Sequence, residues 1–306
     1  MLETASFDLV PVDGSASFSS ARAMLRATMC PAGPEQMATD ANFAAAEEPP
    51  WSVWRETALV VSAEANLLLP DSDRAATLFE ETCAAAATLG NVDTIILSKA
   101  ELAVLAMDRG RWTEAAEHLE LALSTVEDHR LQDYAMSVLA FAGAARHAVH
   151  RGDRNEADRQ LAQAMRARPL CTFVIPWVAV RVRLQLAKVY AALADQSTAR
   201  HLLHEIDDIL AHRPALGALV DQVSELRGTL TSSQRVAAAG GTPLTPAELR
   251  VLPYLQTHLT FREIGQRLFV SRNTVNSEVG SIYRKLGVSS RSDAVQRATT
   301  VGLLGG

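Results

Sequence analysis

The stretch FREIGQRLFVSRNTVNSEVGSIYRKLGV, residues 261–288, decides how this chain is read. Val275, Val279, Ile282 and Leu286 fall at i, i+4, i+7 and i+11, one apolar stripe on a helix starting near Arg272. At about 100° per residue the opposite face collects Asn273, Ser277, Gly280, Ser281 and Arg284, with Thr274, Asn276 and Lys285 on its flanks. Small and amide-bearing side chains, with two cations near the C-terminal end, suit base edges and phosphates. Upstream, Phe261, Ile264 and Leu268 repeat at helical spacing, and Gly265 offers a small surface for a close helix crossing. Phe269 and Val270 form the turn, and Ser271 supplies an N-cap. The pattern predicts a helix-turn-helix.

Working outward, Thr245-Pro246-Ala247-Glu248 is a capping box with Pro at N1 that opens an earlier helix carrying Leu249, Leu252 and Leu255. A last helix begins after Ser290, with Asp293 at N3, and runs through Ala294, Val295 and Ala298. The spacing predicts four short, capped helices: a tri-helical core plus one outer helix. Residues 242–306 hold eight Lys/Arg and four Asp/Glu, a balance of +4 in a chain whose total is −6, which leaves −10 for residues 1–241. A basic tip on an acidic body is the electrostatic footprint expected for phosphate contact confined to one end.

The run from Leu244 through T-P-x-E-x-x-V-L, E-I-x-x-x-L, S-x-x-T-V and I-Y-x-K-L-G-V-x-S-R resembles the LuxR-type (GerE-like) DNA-binding domain of bacterial regulators, over residues 243–304. The resemblance implies DNA contact at Thr274, Asn276, Ser277, Gly280 and Lys285. Two departures stand out: Glu278 occupies a position often held by histidine, and Gly280 one that often carries a longer polar side chain. From helix face and resemblance together, Asn273, Asn276, Ser277 and Ser281 are expected to read base edges. Ser271, Arg272, Thr274, Arg284 and Lys285 are expected to hold phosphates, and Gly280 to make backbone or shape contacts. One such domain is a small interface, so two copies on a two-part site are expected, with Ala294, Val295, Ala298, Val301 and Leu304 as the dimer surface.

The rest of the chain reads as helical repeats. Gly110-Arg-Trp-Thr-Glu-Ala115-Ala-Glu-His-Leu119 aligns with Gly152 to Leu161 and with Ala194 to Leu203, at an offset of 42 residues each time. A fainter copy, Pro70 to Phe79, lies 40 residues earlier. Amphipathic segments precede the three turns, at 95–108, 134–151 and 177–193, so each unit is a helix, a tight turn and a second helix. The expected fold class is all-α: a solenoid that resembles tetratricopeptide arrays, with a period longer than their roughly 34 residues, followed by the four-helix domain. The segment from Thr172 to Leu230 is similar to the region before the DNA-binding domain of large ATP-dependent LuxR-type regulators. Their nucleotide-binding signature GxxxxGK[ST] occurs nowhere in the sequence, so ATP-driven switching is not expected. The domain boundaries read as a disordered 1–16, repeats over 17–230, a linker at 231–242 (TSSQRVAAAGGT) and the helix-turn-helix domain at 243–306. Ala21–Met29 and Glu35–Ala46 read as two short helices split by Pro31-Ala-Gly-Pro34.

Composition narrows the function class. Hydrophobic residues make 48% of the chain and aromatics only 5%, as expected of an Ala/Leu/Val-rich helical body, and no apolar run reaches the roughly 18 residues of a membrane span. The start, MLETASFDLVPVDG, has neither the basic n-region nor the apolar h-region of a secretory signal. Cys30, Cys83 and Cys171 are far apart and without a CxxC, which suits a reducing cytoplasm and small buried side chains. His201 and His204, and His147 and His150, are i,i+3 pairs without further metal ligands; they read as surface residues, as does Asp207-Asp208. No catalytic arrangement and no cofactor or metal site is expected. Trp51, Trp54, Trp112 and Trp177 either pack between helices or line a groove that binds an effector or a partner helix. The expectation is a cytoplasmic, non-enzymatic bacterial transcription regulator binding double-stranded DNA as a homodimer, with RNA polymerase or another protein as partner. The rival is an interaction scaffold whose helix-turn-helix is disarmed by Glu278 and Gly280.

Overall fold

The computed structural model describes residues 11–238 and 244–304, except for the side chains of 233–238. Every regular element among them is helical. By internal contacts the chain divides into two compact units, Met1–Val189 with His201–Gln222, and Tyr190–Arg200 with Val223–Gly306.

The first unit is built from helical hairpins: α1 (Phe18–Met29) with α2 (Pro34–Glu47), α3 (Val53–Leu68) with α4 (Ser72–Leu89), α5 (Val92–Asp108) with α6 (Trp112–Asp128), and α7 (Val138–Arg151) with α8 (Arg154–Ala167). Each helix packs on the next in sequence, and the leading helices α1, α3, α5 and α7 also pack on one another in order. The repeat is visible residue by residue, with a step of 40 residues followed by one of 42. Ala75, Ala115 and Ala157 are fully buried where paired helices meet, and Phe79, Leu119 and Leu161 fill the space beside them. The three aligned turns all pass through the left-handed region, at Gly110 (φ 74°), Gly152 (φ 76°) and Ala194 (φ 64°). An alanine there is strained by about 1–2 kcal/mol, which glycine avoids.

The segment 177–193 differs from its expected role. It lies in α9 (Pro176–Ala192), and from Trp177 to Val189 nearly all of its residues are buried around the whole circumference, instead of along one stripe. Trp177 Nε1 donates to Thr28 O at the end of α1 (2.9 Å). Arg181 donates three bonds of 2.6–3.0 Å to Glu101 of α5. Gln185 accepts from Arg146 of α7 at 3.1 Å. Arg183 reaches Glu205 of α10 (Gln196–His212) at 2.7 Å, and the carbonyls of Cys171 and Ala179. An arginine inside an apolar core persists only when its charge and its donors are matched, and these are. The loop after α10 closes on the start of the array: Arg213 Nε donates to Met29 O (3.1 Å), and a Cβ on Gly217 would sit 2.2 Å from Leu68 O.

Boundaries move at both ends. Residues 1–10 of the expected disordered segment lie outside the described residues, whereas Asp13 and Ala16 are tied in by Trp54 Nε1 (2.8 Å) and by Glu48 (2.9 Å). The expected linker begins inside α11 (Ala218–Ala238), because its Gln, Arg, Val and Ala residues extend a helix readily; 239–242 lie outside the described residues.

In the C-terminal part of the second unit, α12 (Pro246–Val251), α13 (Phe261–Leu268), α14 (Arg272–Leu286) and α15 (Arg291–Thr300) enclose a core of Leu244, Val251, Leu252, Leu255, Ile264, Val275, Val279, Ile282, Leu286, Ala294, Ala298 and Leu304. The first helix is shorter than Leu249, Leu252 and Leu255 implied. Pro253 supplies no N–H, and the chain continues as a 3-10 turn over Leu252–Gln256.

Candidate nucleic-acid interface

Each helix of this domain starts where a side chain satisfies its first free N–H groups. Thr245 and Glu248 form a reciprocal capping box, Thr260 and Glu263 a second, Ser271 Oγ accepts from Thr274 N (3.0 Å), and Ser290 Oγ accepts from Asp293 N (3.1 Å). Between α13 and α14 the chain turns through Phe269 at φ 56°, and Val270 N returns to Gly265 O at 2.9 Å. A Cβ on Gly265 would lie 2.7 Å from Val270 O, so the tight turn requires glycine there. The small residue serves the turn's backbone and the start of α14, where a Cβ would lie 3.5 Å from Arg272 N.

The turn sets the phase of α14. Val275, Val279, Ile282 and Leu286 are buried; Arg272, Asn273, Thr274, Asn276, Ser277, Gly280 and Arg284 are exposed. Ser271 is exposed as well, but its hydroxyl is shared with Thr274 Oγ1 at 2.8 Å. Gly280 faces open space, with nothing within 4 Å of a Cβ placed on it. Ser281 is half-buried and accepts from Arg284 Nη2 at 3.1 Å.

Lys285 sits elsewhere than on the outer face. Its Nζ lies 2.7 Å from Glu248 Oε2, with its side chain 14% exposed and that of Glu248 2% exposed. Burial raises the Glu248 pKa, but hydrogen bonds from Lys285, Ser281 and the Thr245 N–H outweigh burial and hold the carboxyl below the usual range. Lys285 is therefore an internal tie between α12 and α14.

Glu278 is half-buried on the same side. Burial and the Glu248 carboxylate raise its pKa against the pull of Lys285 and Arg250. It flanks the α12 side of the helix, away from Asn273, Ser277 and Gly280.

Arg291 ties the start of α15 to the end of the 3-10 turn. Its guanidinium donates to the carbonyls of Tyr254, Leu255, Thr257 and Leu259 at 2.7–3.0 Å, satisfying the end of the 3-10 turn. A lone Arg at a helix start gives no sequence signal of such a role. The other cations, Arg250, Arg262, Arg267, Arg272, Arg284 and Arg297, are exposed. Of the apolar positions expected to form a dimer surface, Ala294, Ala298 and Leu304 belong to the domain core and Val295 packs against it, while Val301 is half-buried.

Residues 242–298 match the family described as bacterial regulatory proteins, luxR family. Over 61 residues, 20% of this chain and 82% of the relative, the sequence is 38% identical to spore germination protein GerE of Bacillus subtilis (strain 168). The chain belongs to the luxR family. Its family domain is a DNA-binding helix-turn-helix, and α14 is the second helix of that motif.

Proposed function

We propose that this luxR-family protein is a transcription regulator that binds duplex DNA sequence-specifically, with α14 in the major groove, and that its helical body senses an effector or a protein partner. The observation that carries the reading is the outer face of α14: small and amide side chains exposed in one row, exposed arginines around them, and Glu278 turned to the α12 side. Asn273, Asn276, Ser277 and Ser281 are assigned to base edges. Ser271, Arg272, Thr274 and Arg284 are assigned to phosphates, and Gly280 to close backbone approach. Lys285 drops out of the phosphate set because its ammonium is engaged by Glu248.

A domain of this size gains affinity by acting in pairs, so we infer a homodimer on a two-part site. The pairing surface is not the apolar row of α15. RNA polymerase or another regulatory protein is the second partner. Three buried free cysteines support a reducing, cytoplasmic setting. No helix among the described residues is long and apolar enough to cross a membrane.

The scaffold reading loses its main support with Glu278 off the outer face. Selection of genomic DNA fragments by the full-length protein at two salt concentrations separates the two. A recovered motif with two half-sites supports the regulator. Enrichment without a motif that vanishes at the higher salt leaves charge-driven contact only and restores the scaffold.

A further inference from the structure

The first unit contains a cavity of about 500 Å³ where the starts of α3, α5 and α9 meet the end of α1 and the segment before α7. That volume lies in the range of small-molecule sites, about 300–1,000 Å³. Trp54, Trp177, Leu97, Val61, Met136 and Ile175 give it an apolar wall. Among its lining residues Asp93 alone carries a formal charge, and there is no Lys, Arg or His.

The hydrogen-bonding character of the wall is one-sided. The indole N–H of Trp54 is donated to Asp13 O (2.8 Å) and that of Trp177 to Thr28 O (2.9 Å). The hydroxyl of Thr28 is donated to Met24 O (2.9 Å), that of Thr57 to Val53 O (3.0 Å), and that of Tyr134 to Asp93 Oδ2 (2.7 Å). These donors are used within the protein, while the Asp93 carboxylate and the aromatic rings remain as acceptors of positive charge. Two of the bordering helix starts, which would otherwise attract an anion, are capped by Ser52 and Asn91, and Asp93 itself lies in the first turn of α5.

We propose that this cavity binds an amphipathic amine, its protonated amino group against Asp93 and its aromatic or branched apolar body against the indoles of Trp54 and Trp177. Tyr134 positions the carboxylate. The proposal gives a ligand class to the sensing role proposed for the body, and rests on that role only for its effect on DNA binding.

The test uses the full-length protein without DNA and follows titrations of tryptamine, 3-indolepropionate and indole-3-ethanol by calorimetry. Tryptamine is expected to bind at least about tenfold more tightly than the propionate, with the alcohol between them. Asp93→Asn should remove most of the advantage of the amine over the alcohol. Tyr134→Phe, which removes the hydroxyl that positions the carboxylate, should weaken amine binding but keep the amine ahead of the propionate, because the Asp93 charge remains. Equal or tighter binding of the propionate, no binding of any of the three, or an unchanged amine preference in Asp93→Asn overturns the proposal. DNA retention with and without tryptamine is then a separate measurement, so a regulator that binds DNA but ignores the amine is distinguished from a chain that does not bind DNA.

Discussion

Lys285 Nζ and Glu248 Oε2 lie 2.7 Å apart across α12 and α14, and the carboxylate is also the reciprocal partner of the Thr245 cap. One acid thus ends the free N–H groups of a helix and anchors the helix proposed to meet DNA. Breaking the tie leaves a buried carboxylate without its cation. Lys285→Ala is expected to destabilise the domain by about 1–3 kcal/mol. It should leave the slope of DNA affinity against salt unchanged. Hydrogen exchange of α12 and α14 amides measures the first effect and salt titration the second; a slope lowered by one phosphate would put the ammonium back on DNA.

Arg272→Ala and Asn276→Ala should separate charge from reading. Arg272 is exposed at the first turn of α14, where the helix N-terminus also favours phosphate. Its loss should weaken all duplexes alike and lower the salt slope by about 1. Loss of Asn276 should cost about 1–3 kcal/mol on the selected sequence and relax one base pair. Uniform weakening by Asn276→Ala would remove it from the base-reading set.

Gly280→Ala places a methyl group in open space within a helix. Helix propensity alone should stabilise the domain by roughly 0.5–1 kcal/mol. If the backbone approaches DNA at Gly280, affinity falls while stability rises. Parallel gains in both would show that the site is open to solvent in the complex.

Glu64 is buried in the first unit near Glu101 and Arg181, and its Oε1 has no hydrogen-bond partner. Burial and the Glu101 charge push its pKa well above 4.5 against the pull of Arg181. The native state therefore holds a proton that the unfolded chain has released, and stability falls as pH rises from the ordinary carboxylate range towards the raised value. Denaturant unfolding at a series of pH values should show this fall, and Glu64→Gln should flatten it. An identical pH profile in the variant would mean Glu64 is ionised in the folded protein.

Local pattern accounts for much of this molecule. The apolar stripe of α14, the caps at Thr245, Ser271 and Ser290, and the first two helices split at Pro31–Pro34 are all legible because they involve residues within one or two helical turns. The 42-residue repeat was legible for the same reason: it places buried alanines and left-handed turns at fixed offsets.

Side-chain partners far apart in sequence were not legible. Lys285 and Glu248 are separated by 37 positions and Arg181 and Glu101 by 80. Nothing in the pattern V-R-V-R-L-Q-L says that its arginines face inward. His147 and His150 do lie at the surface, His150 exposed and His147 half-buried, but their packing on Trp112, with His150 stacked at 3.6 Å between ring centroids, was not legible.

Sequence by itself determined the capped helix starts of the C-terminal domain, the apolar stripe of α14 and the family of that domain, since these follow from short-range hydrogen bonding and periodic burial. Tertiary structure decided that α9 is enclosed on all sides, that Lys285 and Arg291 are internal ties, and that a cavity of about 500 Å³ remains beside Trp177. Those outcomes depend on which charges meet once the helices pack, because a buried cation is tolerated only opposite its partner.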